Sequence, residues 1–444
     1  GSGSISTNTA IGAAALLNNT TGSNNTANGY NSLYFNTTGN QNTANGNKSL
    51  YSNTTGYDNT ANGLQSLYSN TSWWGNTANG ISALFSNSTG SNNTANGYNS
   101  LYSNTIGSSN VANGSNSLYS NISGDGNTAN GVYSLYSNTT GYGNSGLGNW
   151  TLYSNTSWWG NTANGSQTLF HNDTGYANTA NGLSALFFNT SWWGNTANGT
   201  TSLYSNTTGS NNIANGTNSL YSNTTGDDNI ANGTNSLYYN TTGSSNSANG
   251  SHSLFNNITG SNNTAIGTQS AYQIVTTGGT TPNTTIGYQA LFGGSGTASA
   301  NTAYDNVAIW YQSLYGTTGI ASTGYQNVAI GNRALSKNTA GNQNTANGVN
   351  ALYSNILWSR NIAIGQDSLF SNTWWSYNVA NGWLALYSNT TGWSNVAVGD
   401  SALTNNTTAF RNTAIGNNTL YFNTTGQNNT AIGDSALTSN TTAY

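Results

Sequence analysis

Apolar residues recur along this chain at every seventeenth position. A glycine closes a five-residue segment of the type NTANG at Gly12, and the same glycine returns with this period up to Gly267. The next three steps are longer, with Trp310 in the place of one glycine, and the regular period then continues from Gly331 to Gly433. These 25 units, which we call coils, are typical of a solenoid that repeats one structural element.

Three positions of each coil carry a fixed apolar pattern relative to this marker residue. Leucine stands four residues after the marker in 24 of 25 coils, and alanine stands two residues before it in 23 of 25. Tyrosine or phenylalanine follows the leucine in 21 of 25 coils. Because a disordered chain has no reason to keep such positions, we predict that leucine and alanine fill a thin interior while the adjacent aromatic residue points outward.

The local composition favours strands over helices. The segments NTANG and SLYS are short and are bounded by asparagine and glycine, and NTTG has the composition of a turn whose glycine supplies a positive φ. We therefore predict an all-β parallel β-solenoid (β-roll) of about 25 coils, with two short strands and two turns per coil. One continuous domain would comprise regular coils over 1–271, irregular coils with longer loops over 272–330 around Pro282, and regular coils over 331–444.

Two surface features have more than one interpretation. Asparagine precedes the marker in 15 coils, from Asn28 to Asn249 and again at Asn347 and Asn381, whereas isoleucine or valine usually stands there in the others. This exchange indicates either a half-buried ladder of asparagines or a face against another chain. The stripe of outward aromatic rings would need a cover, which could be another chain, a glycan layer or a folded-back turn.

Charge and composition narrow the classes of function. Only 3% of the residues are charged, cysteine is absent, and the net charge is −4. We therefore expect no nucleic-acid partner, no disulfide and no thiolate metal site, and no segment reaches the ~20 apolar residues of a membrane helix. No nucleophile, phosphate loop or metal-ligand cluster stands out, so we expect neither an enzyme nor a cofactor.

The five-residue segments carry a resemblance to a known family. NTAIG at 8–12, 412–416 and 429–433, NVAIG at 327–331 and NVAVG at 395–399, each followed by AL or SL or a close variant, resemble the head repeats of trimeric autotransporter adhesins and related phage tail-fibre repeats. The resemblance implies a left-handed parallel β-roll, often trimeric, exposed outside the cell.

Paired tryptophans are the clearest candidates for a contact site. They stand in the turn of four coils, where they could stack on sugars, contact a neighbouring fibre, or cover the aromatic stripe locally. The candidates are Trp73, Trp74, Trp158, Trp159, Trp192, Trp193, Trp374 and Trp375.

Recurring NTT and NTS turns also match the acceptor pattern for N-glycosylation. We expect these turns to point outward at fixed intervals, where a sugar coat would help to keep a nearly uncharged solenoid in solution. The candidates are Asn36, Asn53, Asn138, Asn206, Asn223 and Asn240.

The sequence favours a non-enzymatic structural subunit of an extracellular filament or surface fibre. Neither end shows an evident polar cap, and a second copy placed head to tail would bring the adjoining markers as far apart in sequence as Gly287 and Trp310 already are. The partners would be copies of the chain itself, with glycans as a further possibility. An adhesin or tail-fibre shaft that binds glycans as a trimer is the alternative, and an ice-binding solenoid is a minor one.

Overall fold

The structure is a computed structural model that describes residues 7–274, 282–293, 302–317 and 320–442. Its contacts divide the chain into two compact units, Gly1–Asn212 and Ile213–Tyr444, and each unit is a stack of coils. In these residues every strand is three residues long, and no α-helix occurs. The predicted fold class, an all-β parallel solenoid with a 17-residue repeat, is confirmed.

The described part of the first unit contains twelve strands, and each pairs in parallel with the next in sequence. The register is set by the repeat, because Ala27 lies opposite Ala44 and Thr26 opposite Thr43. The strands are β1 Thr9–Ile11, β2 Thr26–Asn28, β3 Thr43–Asn45, β4 Thr60–Asn62, β5 Thr77–Asn79, β6 Thr94–Asn96, β7 Val111–Asn113, β8 Thr128–Asn130, β9 Ser145–Leu147, β10 Thr162–Asn164, β11 Thr179–Asn181 and β12 Thr196–Asn198.

The described part of the second unit contains thirteen strands with the same parallel pairing. Ala214 lies opposite Ala231, and Ala414 lies opposite Ala431. The strands are β13 Ile213–Asn215, β14 Ile230–Asn232, β15 Ser247–Asn249, β16 Thr264–Ile266, β17 Thr284–Ile286, β18 Val307–Ile309, β19 Val328–Ile330, β20 Thr345–Asn347, β21 Ile362–Ile364, β22 Val379–Asn381, β23 Val396–Val398, β24 Thr413–Ile415 and β25 Thr430–Ile432.

The interior of each unit holds the predicted columns of alanine and leucine. Ala27, Leu33, Ala44 and Leu50 are fully buried, and the same positions stay buried in coil after coil. One coil buries only a few such side chains, so its stability depends on the coils above and below it.

The prediction of a second strand in each coil is wrong. In the segment that follows the marker, Asn31 and Leu33 have φ angles of 56° and 48°, in the left-handed region, and each coil repeats this geometry. The N–H of Asn31 therefore donates to Ala13 in the preceding coil, whereas the N–H of Leu33 donates to Ser49 in the following coil. A regular strand would direct both N–H groups to the same neighbour. This segment is therefore a turn whose N–H groups bond to the preceding and to the following coil in alternation.

The role predicted for the turn glycine is also wrong. Gly39 does not have a positive φ, and a Cβ atom built on it would lie 2.3 Å from the carbonyl oxygen of Gly56 in the next coil. In this coil glycine leaves room for the close approach of adjacent backbones. The marker glycine is the one that needs φ freedom, as shown by the φ of 144° at Gly46.

The irregular coils keep the strand of the regular ones. Strand β17 pairs with β16 and with β18, although the steps between markers are longer there. Within the stretch 272–330, for which longer loops are predicted, residues 275–281, 294–301 and 318–319 lie outside the described residues.

Candidate functional sites

Two columns of buried asparagine run along the coils beside the apolar interior. The inner asparagine column consists of the asparagine four residues before each marker, such as Asn25, Asn42 and Asn59, which are fully buried. The Nδ2 of Asn42 donates to Oδ1 of Asn25 at 3.2 Å and to the carbonyl oxygen of the turn residue Gly56 at 2.8 Å. Oδ1 of Asn42 in turn accepts from the backbone N–H of Asn59 at 3.1 Å. Each side chain thus ties three successive coils together.

The turn asparagine column consists of the asparagine seven residues after the marker, such as Asn36, Asn53 and Asn70. The Nδ2 of Asn53 donates to Oδ1 of Asn36 at 2.8 Å and to the carbonyl oxygen of Gly56 at 3.0 Å. Gly56 therefore accepts from both columns, which explains how polar side chains remain buried at little cost.

All six candidate glycosylation sites lie in the turn asparagine column. They are fully buried, so these asparagine side chains point inward from the turns that carry them. Glycosylation of these residues stays a prediction, and it would require each amide to leave its hydrogen bonds. The residues are Asn36, Asn53, Asn138, Asn206, Asn223 and Asn240.

The asparagine just before the marker forms a third, half-buried ladder. Nδ2 of Asn45 donates to Oδ1 of Asn62 at 2.9 Å, and Asn62 donates to Asn79 at 2.8 Å. Of the two interpretations of the asparagine–isoleucine exchange, the structure thus shows the half-buried ladder of asparagines. Ile266 and Ile415 occupy the equivalent position elsewhere and are exposed.

The aromatic residue that follows each buried leucine forms an aromatic ladder, in which rings of adjacent coils stack. In the first unit the ladder runs from Tyr34 to Tyr204, and neighbouring rings such as Tyr51 and Tyr68 have centroids 5.0 Å apart with planes inclined by 11°. In the second unit Tyr238 and Phe255 continue the pattern with centroids 5.3 Å apart. Each ring covers one face of its neighbour, so the stripe is half-buried within its own chain.

Stacking changes the ionisation of the ladder. Partial burial raises the pKa of Tyr119 above its usual value near 10, and the neighbouring phenols of Tyr136 and Tyr102 raise the pKa further. Burial likewise raises the pKa of Tyr238 and of Tyr315. A phenolate in the ladder would lose hydration and repel its neighbours once they ionise.

The paired turn tryptophans stand on the surface. Trp73 is half-buried, and the other seven expose between 36% and 59% of their area. In the first unit Tyr176 stacks between Trp159 and Trp193, with ring centroids 5.4 and 6.0 Å away, and it also contacts Trp158. The ring contacts seen for these tryptophans are with turn aromatics of adjacent coils rather than with the aromatic ladder.

A cleft of about 530 Å³ opens among the turn aromatics of the second unit. Trp358, Trp375 and Trp393 come from three successive coils and form its walls together with Tyr377, and two small serine side chains line it as well. Trp393 stands one position later in its coil than Trp358 and Trp375 do in theirs. Trp374 lies outside it, in a smaller hollow on the same surface.

Two arginines flank this cleft. Nη1 of Arg360 donates to the Tyr377 hydroxyl at 2.6 Å, and the guanidinium of Arg411 lies 4.6 Å from the Trp393 ring centroid. Sequence reasoning missed Trp358, Tyr377 and Trp393 because it searched for tryptophan pairs. The available signal was the run of aromatic residues at equivalent turn positions in successive coils.

Within the described ranges, no group of three or more histidine, cysteine, aspartate or glutamate residues could hold a metal ion. The same residues include no helix that is long and apolar enough to cross a membrane.

Comparison with known proteins gave no relative. No protein-family model, no curated protein and no solved structure matches this chain.

Proposed function

We propose that this chain is a structural subunit of an extracellular filament or surface fibre, in which copies add to one another coil upon coil. The observation that carries the proposal is the repetition of one coil-to-coil contact within each unit. Asn42 contacts Asn25, and Asn395 contacts Asn378, through the same side-chain bonds across 17 residues. A contact that each coil can make with the next is one that a coil of another copy can also make.

The low charge supports the same proposal. Equivalent residues of stacked copies lie above one another, and rows of like charge would repel along the stack. Asparagine and threonine instead bond to their own copies, as when Oγ1 of Thr37 donates to the carbonyl oxygen of Thr54 at 3.0 Å. These engaged threonine hydroxyls are less suited to the ice-binding alternative, which requires a free and regular threonine surface.

Electron microscopy of the purified full-length chain tests this proposal. We expect long filaments of one uniform, thin diameter, whose length grows with protein concentration. A version with a compact globular domain fused to each end is the control, because the added domains would block coil-on-coil addition and leave short particles. Discrete particles of constant length from the unfused chain would contradict the proposal.

A second candidate function is an adhesin or tail-fibre shaft that binds surface glycans, and the resemblance to trimeric adhesin head repeats is consistent with it. The observation that favours it is the cleft of Trp358, Trp375 and Trp393. Sugar rings present C–H faces that pack on tryptophan, and Tyr377 and Ser376 supply hydroxyl groups beside the rings.

Titration with a panel of neutral oligosaccharides tests the second candidate. Trp375→Gly should abolish binding, whereas Trp150→Gly, which removes a ring that stacks on Tyr133 and does not line the cleft, should leave it unchanged. Sedimentation equilibrium should give a trimer. A monomer that binds none of the oligosaccharides would reject this candidate.

A further inference from the structure

The aromatic ladder of the second unit has a missing ring at Ser336. On one side of it Phe292 stacks on Tyr315 with centroids 5.0 Å apart, and on the other side Tyr353 stacks on Phe370 with centroids 5.1 Å apart. The coil between Tyr315 and Tyr353 carries Ser336 at the ladder position. Two coil steps separate the facing rings, a distance of about 10 Å by the usual strand spacing.

A hollow of about 290 Å³ lies at this position. Tyr315 and Tyr353 stand at its two ends, and Ser336 contributes only a buried hydroxymethyl group between them. A flat ring placed midway would lie about 5 Å from each tyrosine by the same strand spacing, close to the separation of stacked rings elsewhere in the ladder. The hollow thus has the depth of one aromatic ring.

Two cations line the same hollow. Arg333 and Lys337 are exposed, and they are two of only five lysines and arginines in the whole chain. Nζ of Lys337 lies 5.0 Å from the Tyr353 ring centroid, and Nε of Arg333 donates to Oε1 of Gln312 at 3.4 Å. Among the described residues, no acidic side chain lines the hollow, so the charged groups that do line it are positive.

A second missing ring shows that this charge is not a general feature of such gaps. Thr404 interrupts the ladder between Tyr387 and Tyr421, and its hydroxyl donates to the carbonyl oxygen of Leu384 at 3.1 Å. The residues equivalent to Arg333 and Lys337 are there Ser401 and Asn405. The combination of a ring-sized gap with two cations is found at Ser336 and not at Thr404.

We propose that the gap between Tyr315 and Tyr353 binds a flat aromatic ring that carries a carboxylate or phosphate group. The ring completes the ladder by stacking on both tyrosines, which recovers the stacking that Ser336 cannot provide. Arg333 and Lys337 bind the anionic group at the rim of the hollow, and Lys337 moves from the face of Tyr353 to do so. This site is independent of the filament and glycan proposals, since it uses neither the coil ends nor the turn tryptophans.

Titration of the full chain with 2-naphthoate, followed by naphthyl fluorescence, tests the proposal. We expect saturable binding at one site per chain, which weakens as salt is added because the ion pairs are exposed. The uncharged analogue 2-naphthamide should bind at least 10-fold more weakly. Equal binding of the two compounds, or no saturable binding of naphthoate, would overturn the proposal.

Substitutions separate the two parts of the site. Ser336→Tyr places a ring in the gap and should abolish naphthoate binding. Arg333→Gln and Lys337→Gln leave the gap open, and each should weaken binding about 5-fold, the upper range for an exposed ion pair. If Ser336→Tyr does not fold, the two glutamine variants still decide the matter. Thr404→Tyr is the matched control and should leave binding unchanged, and loss of binding in that variant would contradict the proposed location.

Discussion

Nδ2 of Asn53 lies 2.8 Å from Oδ1 of Asn36, one coil away, and both side chains are fully buried. The same amide accepts a hydrogen bond at its oxygen from Nδ2 of Asn70 at 2.9 Å. An isolated buried amide costs free energy, whereas an amide that is bonded on both sides stabilises the coils that it joins. Polar side chains therefore hold this solenoid together next to a narrow apolar interior.

We expect Asn53→Ala to lower the free energy of unfolding by about 2–3 kcal/mol, because it leaves Oδ1 of Asn36 without its donor and creates a small cavity. Asn47→Ala is the matched control, since Asn47 is exposed and should change stability by less than about 0.5 kcal/mol. Urea unfolding followed by circular dichroism measures both. Equal shifts for the two variants would show that the buried column contributes nothing special.

We expect Gly39 to tolerate alanine poorly although its φ is ordinary. A Cβ at Gly39 would lie 2.3 Å from the Gly56 oxygen and 2.4 Å from Oδ1 of Asn36, so Gly39→Ala should cost about 3 kcal/mol or more. Gly126 has a φ of 64°, and a Cβ added there would meet no atom within 4 Å, so Gly126→Ala should cost only about 1 kcal/mol. Thermal unfolding of the two variants gives the comparison, and a reversed order would contradict the close approach of backbones.

One substitution should stabilise the chain. Trp310 occupies a marker position with a φ of 101°, where a side chain other than that of glycine is strained, and 63% of it is exposed. Trp310→Gly should therefore raise the free energy of unfolding by about 1 kcal/mol. Trp358→Gly, at a position without positive φ, should instead lower it through loss of ring contacts. Chemical denaturation of both variants gives the signs, and a destabilised Trp310→Gly variant would show that the ring contributes more than the strain costs.

The solenoid should lose stability in alkali. The pKa of Tyr119 is raised in the folded chain, first by burial and then by Tyr136 and Tyr102. The unfolded phenol ionises first, so this contribution is complete below about pH 10 and is lost as the pH rises from there through the raised pKa. Urea midpoints measured between pH 8 and 12 should fall, and Tyr119→Phe should show a shallower fall. An unchanged slope in that variant would exclude this tyrosine as a cause.

Folding should protect the acceptor asparagines from glycosylation. Asn53 and Asn138 are fully buried and bonded through Nδ2, the atom to which a glycan attaches. Chain that is folded before exposure to an N-oligosaccharyltransferase should therefore remain unmodified at both, whereas a peptide spanning 50–58 should be glycosylated. Mass spectrometry of both samples decides this. Glycan at Asn53 of the folded chain would mean that the turn opens readily.

The apolar part of the fold could be predicted from the sequence because its residues recur with a regular 17-residue period. Leucine and alanine recur at fixed distances from the marker, and parallel stacking is the arrangement that keeps such residues in columns. The second strand was wrongly predicted because Leu33 and its equivalents adopt a left-handed φ in every coil. Leucine seldom does so, and here the burial of its side chain and the hydrogen bonds of its segment to both neighbouring coils hold it there.

The buried asparagines were missed because polar residues are normally assigned to the surface. The signal was nevertheless present, since asparagine stands four residues before the marker in all 25 coils. That invariance exceeds the invariance of the leucine and indicates an interior position. The cleft around Trp375 was only partly foreseen, because its walls come from three coils. Trp393 stands one position later in its coil than Trp358 and Trp375 do in theirs, which no single repeat reveals.

The marker itself has a chemical consequence. In Asn45–Gly46 the backbone nitrogen of Gly46 donates to the carbonyl oxygen of Asn28 at 2.8 Å, while the Asn45 amide is bonded to Asn62. Spontaneous ageing of an asparagine–glycine pair begins when that nitrogen attacks the side-chain carbonyl carbon and closes a succinimide ring. The nitrogen that would attack and the amide nitrogen that would leave are both held in hydrogen bonds here. We therefore expect such asparagine–glycine pairs to deamidate more slowly in the folded chain than in a flexible one.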